Sequence, residues 1–229
     1  MNIMQVNEIF KSIQGEGPNF GKPAIFLRTA QCNLKCTWCD TKYTWDWENY
    51  DFSKEVKEMT INQIKESILE FEIRHLVITG GEPLLQQDDL AELLSFLKPD
   101  FYVEIETNCT ILPNKMLTDL VNQWNVSPKT ENSGNPLELY ENNECYYFFA
   151  SQENCFFKYV VEDKNDIPEI KKFVTKYNIP EKRVQLMTQA STKEEIHSRE
   201  KSISKLAKQH NFGFSPRLHV AMWGAQRGK

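Results

Sequence analysis

Three of the six cysteines in this chain lie within eight residues, in the pattern Cys32-x-x-x-Cys36-x-x-Cys39. Three thiolates on one short loop can bind a single small inorganic group. Zinc needs a fourth ligand, and none of the four histidines is close to this loop in sequence. A 4Fe–4S cluster with one iron left open to a small molecule agrees best with the three-residue and two-residue gaps between the cysteines. A zinc site and three unrelated buried cysteines are the alternatives.

The cysteine loop directly follows a predicted strand over residues 24–28, in a chain whose pattern alternates between strands and helices. Such alternation predicts parallel strands joined by crossover helices, which is the α/β class. Chemistry in α/β folds collects in loops after the carboxyl ends of strands, so the loop is well placed for a site. Further strands are predicted over 75–79, 101–106, 124–127, 156–161, 183–187 and 216–220, and helices over 60–71, 88–97, 114–123, 166–177 and 192–210.

Two stretches interrupt the alternation within what we expect to be a single domain spanning residues 1–229. Residues 32–52 carry the cysteines and are rich in Trp and Tyr. Residues 131–155 are polar at first and then aromatic, which indicates an inserted segment. We expect its aromatic part to pack in the core or in a dimer interface.

Composition excludes several classes of protein. The chain has 229 residues and is 40% hydrophobic, enough to bury a core without disulfides. Its formal net charge of −5 argues against a basic surface for nucleic acid. No apolar run reaches the roughly 20 residues of a membrane helix, and residues 1–17 do not resemble a signal peptide. We therefore expect a soluble, cytoplasmic protein with no membrane partner and no direct nucleic-acid partner.

A second motif, Thr79-Gly80-Gly81-Glu82-Pro83, follows the next predicted strand along the chain. Two glycines at the end of a strand allow a ligand to approach the backbone closely. By itself, this motif predicts only a tight turn between a strand and a helix. Its position after the cysteine loop gives it more weight.

Polar residues around the first predicted strand have side chains suited to a heterocycle that carries a carboxylate. Gln14 and Glu16, in a glycine-rich turn, can match the donor and acceptor edge of a pterin or purine. Arg28 can clamp a carboxylate with two hydrogen bonds. The hydroxyl of Thr41 suits Mg²⁺, which takes few protein ligands and completes its shell with substrate oxygens. In isolation, the turn and the arginine are also typical of an ordinary loop and a surface charge.

The cysteine loop, with Trp38 just before the third cysteine, resembles the signature of the radical S-adenosylmethionine (SAM) superfamily. The resemblance implies that the open iron binds the amino and carboxylate groups of SAM and that Trp38 lies beside the adenine. One electron from the cluster would then cleave SAM to methionine and a 5′-deoxyadenosyl radical. The glycine-rich motif resembles the turn that holds the methionyl amino group in this superfamily.

A larger set of motifs, distributed over nearly the whole chain, resembles the 7-carboxy-7-deazaguanine synthase family. The set comprises residues 12–17, 26–28, 39–41, 79–83, 106–108, 127–129 and 217–224. The resemblance implies conversion of 6-carboxy-5,6,7,8-tetrahydropterin to 7-carboxy-7-deazaguanine with loss of ammonia, on the route to queuosine and other 7-deazapurines. It also implies a homodimer, a flavodoxin- or ferredoxin-type electron donor and an abbreviated, modified TIM-like (partial β/α) barrel of the radical SAM type.

The resemblance assigns a role to each matching residue. Cys32, Cys36 and Cys39 would hold the 4Fe–4S cluster, and Thr41 would bind Mg²⁺. The implied substrate contacts are Ile13, Gln14, Gly15, Glu16, Arg28, Thr79 and His219. The implied SAM contacts are Trp38, Cys39, Asp40, Gly81, Ser127, Pro128, Lys129, Met187, Thr188 and Gln189. No side chain is assigned as catalytic, because the deoxyadenosyl radical performs the chemistry.

The sequence departs from the family pattern at two places. Cys109 stands where the family commonly has glycine, and residues 187–189 lack a proline often found there. The main alternative function is a radical SAM protein that activates a glycyl-radical enzyme. Such a protein would share the cysteine loop and the glycine-rich turn but would not need Gln14, Glu16, Arg28 and Thr41 together. A zinc-binding or electron-transfer module without catalysis is the alternative of another class.

Overall fold

A computed structural model describes residues 3–224 and 226–229, and within them the strands form one nine-stranded sheet. The order across the sheet is β3-β1-β2-β4-β5-β6-β7-β8-β9. The strands are β1 Ile3–Ile13, β2 Pro23–Thr29, β3 Lys57–Thr60, β4 His75–Gly80, β5 Tyr102–Thr107, β6 Gln123–Val126, β7 Cys155–Val161, β8 Val184–Thr188 and β9 Gly213–Ser215.

The sheet is parallel from β2 through β9, whereas β1 pairs antiparallel with both β2 and β3. It is not closed, because β3 and β9 are its two edges. This open arrangement is a partial barrel and confirms the predicted fold class. The carboxyl ends of the parallel strands all point to one rim, where α/β folds place their sites.

Helices connect the strands. They are α1 Phe52–Glu55, α2 Ile61–Leu69, α3 Gln87–Leu97, α4 Lys115–Leu120, α5 Leu137–Tyr140, α6 Asn143–Ser151, α7 Ile167–Lys176, α8 Lys193–Gln209 and α9 Leu218–Trp223. The five predicted helices correspond to α2, α3, α4, α7 and α8, although α4 is shorter than expected. Thr60 is the N-cap of α2, because its hydroxyl accepts from Gln63 N and the Gln63 side chain accepts from Thr60 N.

The strand predicted over 216–220 is wrong. The last strand, β9, ends at Ser215, and α9 follows from Leu218. Pro216 has no N–H to donate to the ladder, so a strand ends before it. Val220 is apolar because α9 packs it against Ala190 and Ile196.

Besides β9, two strands, β1 and β3, were not expected from the pattern. They add antiparallel strands beyond β2, and antiparallel strands do not need the crossover helices from which the other strands were inferred. The strand β1 nevertheless buries Met4 and Val6 completely or nearly so. It therefore belongs to the core and not to a flexible start of the chain.

The segment 131–155 forms the connection between β6 and β7. Its helix α6 packs aromatic side chains into the core, where Tyr146 stacks on Tyr177 with ring centroids 4.2 Å apart. Trp124 meets Phe149 edge to face at 5.4 Å. Tyr146 and Phe149 of the aromatic part are thus core packing, whereas Tyr147 is 53% exposed. None of the helices in the described residues is both long and apolar enough to cross a membrane.

Candidate functional site

A cavity of about 470 Å³ opens at the carboxyl rim of the sheet. It is lined by every predicted site residue except Pro128 and Thr188. Those lining it are Ile13, Gln14, Gly15, Glu16, Arg28, Cys32, Cys36, Trp38, Cys39, Asp40, Thr41, Thr79, Gly81, Ser127, Lys129, Met187, Gln189 and His219. Pro128 is buried beside the cavity. Thr188 is also buried, and its hydroxyl has no hydrogen-bond partner among the described residues.

The glycine-rich turn after β4 packs directly against the start of the cysteine loop. Gly81 N donates to Thr29 O at 3.2 Å, and Glu82 N donates to Gln31 O at 2.7 Å. A Cβ atom on Gly80 or Gly81 would collide with the backbone of this neighbouring segment. The two glycines are therefore required by the close approach of two chain segments, independently of any ligand.

Glu82 ties the same turn to the end of β5. Its fully buried carboxylate accepts from Thr107 Oγ1 at 2.8 Å, Asn108 N at 2.7 Å and Leu84 N at 3.0 Å. Burial raises the pKa of this carboxyl above its ordinary value. The residue therefore supports the rim of the cavity and does not face into it.

One side of the cavity, here called the cysteine wall, consists of Cys32, Cys36 and Cys39. All three are free thiols, and each sulfur accepts a hydrogen bond from an N–H group. The pairs are Leu34 N to Cys32 Sγ at 3.4 Å, Asn135 Nδ2 to Cys36 Sγ at 3.3 Å, and Trp45 Nε1 to Cys39 Sγ at 3.4 Å. N–H donors around sulfur are what cluster-bound thiolates require, so the residues present fit an iron–sulfur cluster.

The cysteine wall differs from a site for a single metal ion. No group of three or more His, Cys, Asp or Glu side chains in residues 3–224 and 226–229 is arranged to hold a single metal ion. Burial raises the pKa of the Cys32 thiol to about 12 and also raises that of Cys36. These thiols need the positive charge of iron to become thiolates, as metal ligands generally do.

A second side of the cavity, here called the charged wall, consists of Glu16, Lys158 and Arg217. Lys158 Nζ pairs with one carboxylate oxygen of Glu16, and Arg217 Nε donates to the other at 3.1 Å. Burial alone would raise the pKa of Glu16, but the two cations outweigh it and hold that pKa well below its ordinary value. The carboxylate is therefore ionised and fixed in orientation.

Arg217 joins three separate parts of the chain. Besides Glu16, its guanidinium bonds the Ala190 carbonyl and the Asp40 carboxylate. Asp40 directly follows the last cysteine of the cysteine wall. Arg217 thus links the two walls through a planar group whose donors match carboxylates.

The turn that carries Gln14 and Glu16 is anchored inside the sheet. Gly17 N donates to Ser215 Oγ at 2.9 Å, and Asn19 Nδ2 donates to Glu104 Oε1 at 2.7 Å. Glu104 is fully buried. This anchoring gives a loop the rigidity of the sheet beneath it.

Gln14 and Thr79 share an acceptor. Gln14 Nε2 donates to Glu106 Oε1 at 3.3 Å, and Thr79 Oγ1 donates to Glu106 Oε2 at 2.9 Å. Lys158 Nζ lies 4.0 Å from the same carboxylate. Glu106 therefore gathers two predicted substrate residues around one acidic group on the floor of the cavity.

Arg28, at the end of β2, uses only part of its donor capacity. Its Nε donates to Glu8 Oε2 at 2.8 Å, and the Tyr43 hydroxyl donates to the same oxygen at 2.8 Å. The terminal nitrogens of Arg28 have no hydrogen-bond partner among the described residues. They remain available for a carboxylate from outside the protein.

The predicted SAM residues form a third group. Trp38 Nε1 donates to Asn132 O at 3.0 Å, which fixes the indole. Lys129 Nζ lies 5.8 Å from the Trp38 ring centroid and donates to Ser127 O at 2.6 Å. The Trp38 ring thus lies against the ammonium group of Lys129, which belongs to the segment just after β6.

The end of β8 and the chain's last residues complete the cavity. Gln189 is held by Arg199, which donates to its backbone carbonyl at 3.0 Å and to its side chain. Arg227 lies 3.7 Å above the ring of Tyr43, so the last residues lie close to the site. Burial lowers the pKa of His219 below its ordinary value, which favours the neutral imidazole.

Sequence reasoning missed the roles of Lys158 and Arg217. Lys158 is the only charged residue of β7, and a lysine within a buried apolar strand is a readable signal of a charged partner. Arg217 belongs to one of the family motifs but had no assigned role. Its partner Glu16 is 201 residues away in sequence, a pairing that spacing alone does not show.

Comparison with known proteins agrees with this geometry. A family model described as the Radical SAM superfamily matches residues 26–127. A 7-carboxy-7-deazaguanine synthase of Pyrobaculum aerophilum is 39% identical over 99% of this chain and 97% of its own length. The corresponding synthase of Hyperthermus butylicus is 36% identical over 95% of this chain and 92% of its own. The crystal structure of QueE from Escherichia coli superposes with a TM-score of 0.72 at 25% identity and covers 95% of both chains.

Proposed function

The chain belongs to the 7-carboxy-7-deazaguanine synthase family of radical SAM enzymes, and from this membership we propose how its cavity performs the reaction. The proposed reaction converts 6-carboxy-5,6,7,8-tetrahydropterin to 7-carboxy-7-deazaguanine with release of ammonia. The observation that carries the proposal is the meeting, in one cavity, of a three-cysteine wall and a charged wall with side chains suited to a pterin.

The family implies a 4Fe–4S cluster and SAM, and the three cysteines fit the cluster. When bound, the pair supplies a 5′-deoxyadenosyl radical that removes a hydrogen atom from the substrate. Trp38, braced by its bond to Asn132, would pack against the adenine. Ser127 and Lys129 would contact the rest of SAM, where the ammonium of Lys129 suits a carboxylate or hydroxyl group.

The charged wall would recognise the heterocycle. Gln14 offers both an amide donor and an acceptor, and Glu16 presents an ionised carboxylate that can accept from ring or amino N–H groups. Lys158 and Arg217 fix that carboxylate in place before substrate arrives. Binding then loses less side-chain entropy, which is the benefit of preorganisation.

Arg28 would hold the substrate carboxylate at the carboxyl end of β2. Its unused terminal nitrogens can donate two parallel hydrogen bonds to a carboxylate. Thr41, whose hydroxyl lies 3.6 Å from Cys39 Sγ, would supply one oxygen ligand to Mg²⁺. A single hydroxyl is a suitable protein share for a cation that takes its remaining ligands from substrate and water.

Neutral His219 and the last residues of the chain would cover the substrate and exclude water. His219 Nε2 lies 3.7 Å from Glu16 Oε1, so the imidazole is next to the carboxylate that would bind the heterocycle. Exclusion of water protects a carbon radical from side reactions. A homodimer and a flavodoxin- or ferredoxin-type electron donor complete the proposal and derive from the family resemblance.

The glycyl-radical activator is the less supported alternative. The relatives that cover nearly the whole chain are named synthases. An activator acts on a polypeptide, and a paired buried carboxylate such as Glu16 would have no pterin to recognise. The charged wall therefore favours a small heterocyclic substrate.

One experiment separates these functions. The protein is reconstituted anaerobically with iron and sulfide and incubated with SAM, dithionite and 6-carboxytetrahydropterin, and products are followed by mass spectrometry. We expect 7-carboxy-7-deazaguanine in excess over 5′-deoxyadenosine, because conversion of the pterin to the deazapurine plus ammonia balances with no net loss of a hydrogen atom, and no deazapurine without the pterin. Deoxyadenosine that forms with no deazapurine would overturn the substrate assignment.

A further inference from the structure

The turn after β6 lies directly against the cysteine loop. Thr37 N donates to Ser133 O at 3.0 Å, which joins the two segments through their backbones. Gly134 has a φ of 74°, and a Cβ atom at this position would lie 2.6 Å from Thr37 Cγ2. The close approach therefore depends on a residue with no side chain.

Asn135 is the residue through which this turn reaches a cluster-binding sulfur. Lys35 N donates to Asn135 Oδ1 at 2.9 Å, and Asn135 Nδ2 donates to Cys36 Sγ at 3.3 Å. The backbone N–H of Lys35 can only donate, so the amide oxygen must face it and the NH₂ group must face the sulfur. The orientation of the amide is thus determined by its partners.

The site of this contact is buried. Asn135 is 9% exposed and Cys36 is 7% exposed. A hydrogen bond in such surroundings is electrostatically stronger than one in water. Asn135 is also 99 residues from Cys36 in sequence, so the donor comes from a separate connection of the sheet. Cys32 Sγ instead accepts at 3.4 Å from a backbone N–H of the cysteine loop itself, and Asn108 Nδ2, just after β5, lies farther from it at 4.0 Å.

We propose that Asn135 is a positioning residue that fixes Cys36 and, by donating to its sulfur, raises the reduction potential of the 4Fe–4S cluster. Reduction adds negative charge to the cluster, and an N–H aimed at a ligand sulfur stabilises that charge. The residue acts through Cys36 and need not touch SAM or the substrate. This inference deepens the proposed function and rests on it, because it places the cluster on these three cysteines.

The test is an anaerobic potentiometric titration of the reconstituted protein, followed by electron paramagnetic resonance, without SAM. Asn135→Asp keeps an acceptor for Lys35 N but removes the donor, and Asn135→Ala removes both. Asn154→Ala is the matched control, because Asn154 belongs to the same connection between β6 and β7 and its Nδ2 donates to Asn122 O at 3.1 Å, away from the sulfurs.

We expect the midpoint potential to become more negative in both Asn135 variants, and more so in Asn135→Asp because a carboxylate adds negative charge. The Asn154→Ala protein should keep the wild-type potential. A wild-type potential in both Asn135 variants, at full iron content, would overturn the proposal. So would variants that fold by circular dichroism but bind no iron, since Asn135 would then have only a structural role.

The failure of this inference can be told apart from failure of the proposed function. Deazapurine formation by the wild-type protein tests the function and does not involve Asn135 variants. A protein that makes no deazapurine but shows the expected shift of potential would refute the substrate assignment alone. A protein that makes deazapurine with unshifted Asn135 variants would refute only the role of Asn135.

Discussion

The two walls of the cavity are held in different ways. The three sulfurs of the cysteine wall accept from neutral N–H donors. Their thiols become thiolates when iron binds and supplies positive charge. The charged wall has its charges already paired within the protein, with Glu16, Lys158 and Arg217 each about nine-tenths buried or more. One wall is therefore completed by a cofactor, whereas the other is complete before any ligand binds. Damage to each wall should have separate consequences.

The largest effect is expected at the cysteine wall. Cys36→Ala removes a cluster ligand, so the protein should lose most of its iron and its activity should fall by at least about 10³-fold. Affinity for the pterin, measured by calorimetry on the iron-free proteins, should be unchanged. Cys145→Ala in the buried core is the control and should keep its iron at a stability cost of about 1 kcal/mol. A large loss of pterin affinity in Cys36→Ala would contradict the independence of the walls.

The next effect is expected at the charged wall. Lys158→Met leaves Glu16 buried with one cation fewer, and breaking a buried pair in this way costs about 3–5 kcal/mol of unfolding free energy. The double variant Lys158→Met with Glu16→Gln should recover much of that stability, because the charge of Glu16 is removed together with that of its partner and Arg217 keeps Asp40. Denaturant unfolding measures both. Iron content should stay at the wild-type level, and a loss of iron would show that the walls are coupled.

Acid should weaken the charged wall selectively. The pKa of Glu16 is depressed in the folded protein, so its contribution to stability is present above the ordinary value of 4.5 and is lost as pH falls below it. The slope is at most about 1.4 kcal/mol per pH unit for one group. Thermal unfolding of the wild-type and Glu16→Gln proteins between pH 3 and 6 should show a shallower pH dependence in the variant. Parallel curves would show that Glu16 is not held ionised by its partners.

The smallest effect is expected at Thr41, which lies beside the cysteine wall but is assigned to the substrate. Thr41→Ala should weaken the Mg²⁺ dependence of deazapurine formation about fivefold, because one oxygen ligand among several is lost. Thr41→Ser keeps the hydroxyl and should behave like the wild type. The iron content of both variants should be normal. If Mg²⁺ stimulation is identical in all three proteins, Thr41 is not a ligand.

Much of the fold follows from patterns within single elements. The apolar stripe of α2 and its N-cap Thr60, and the runs that form β4 and β7, are visible in short windows of sequence. The strand assigned over 216–220 fails because its apolar residues Leu218 and Val220 belong to a short helix, α9, which buries Val220. A short apolar run does not by itself distinguish a strand from a helix.

The site was predictable where chemistry is local in sequence. The cysteine loop and the glycine-rich turn are each contained within a few residues, and both line the cavity. The partners of Glu16 were not predictable, because Lys158 and Arg217 meet it only through the three-dimensional arrangement of β7 and the chain after β9. Asn135 is likewise invisible in sequence, since nothing local relates it to Cys36.

The distances in sequence between partners also set an order in time. Asn135 and Cys36 are 99 residues apart, whereas Arg217 and Glu16 are 201 residues apart. A ribosome that adds roughly 5–20 residues per second exposes residue 135 about 4–16 s before residue 217. A nascent chain therefore contains every cysteine ligand and the turn that braces them before its substrate wall can close. Cofactor loading during synthesis would then meet an open cavity, which becomes restricted once Arg217 has been added and can pair with Glu16.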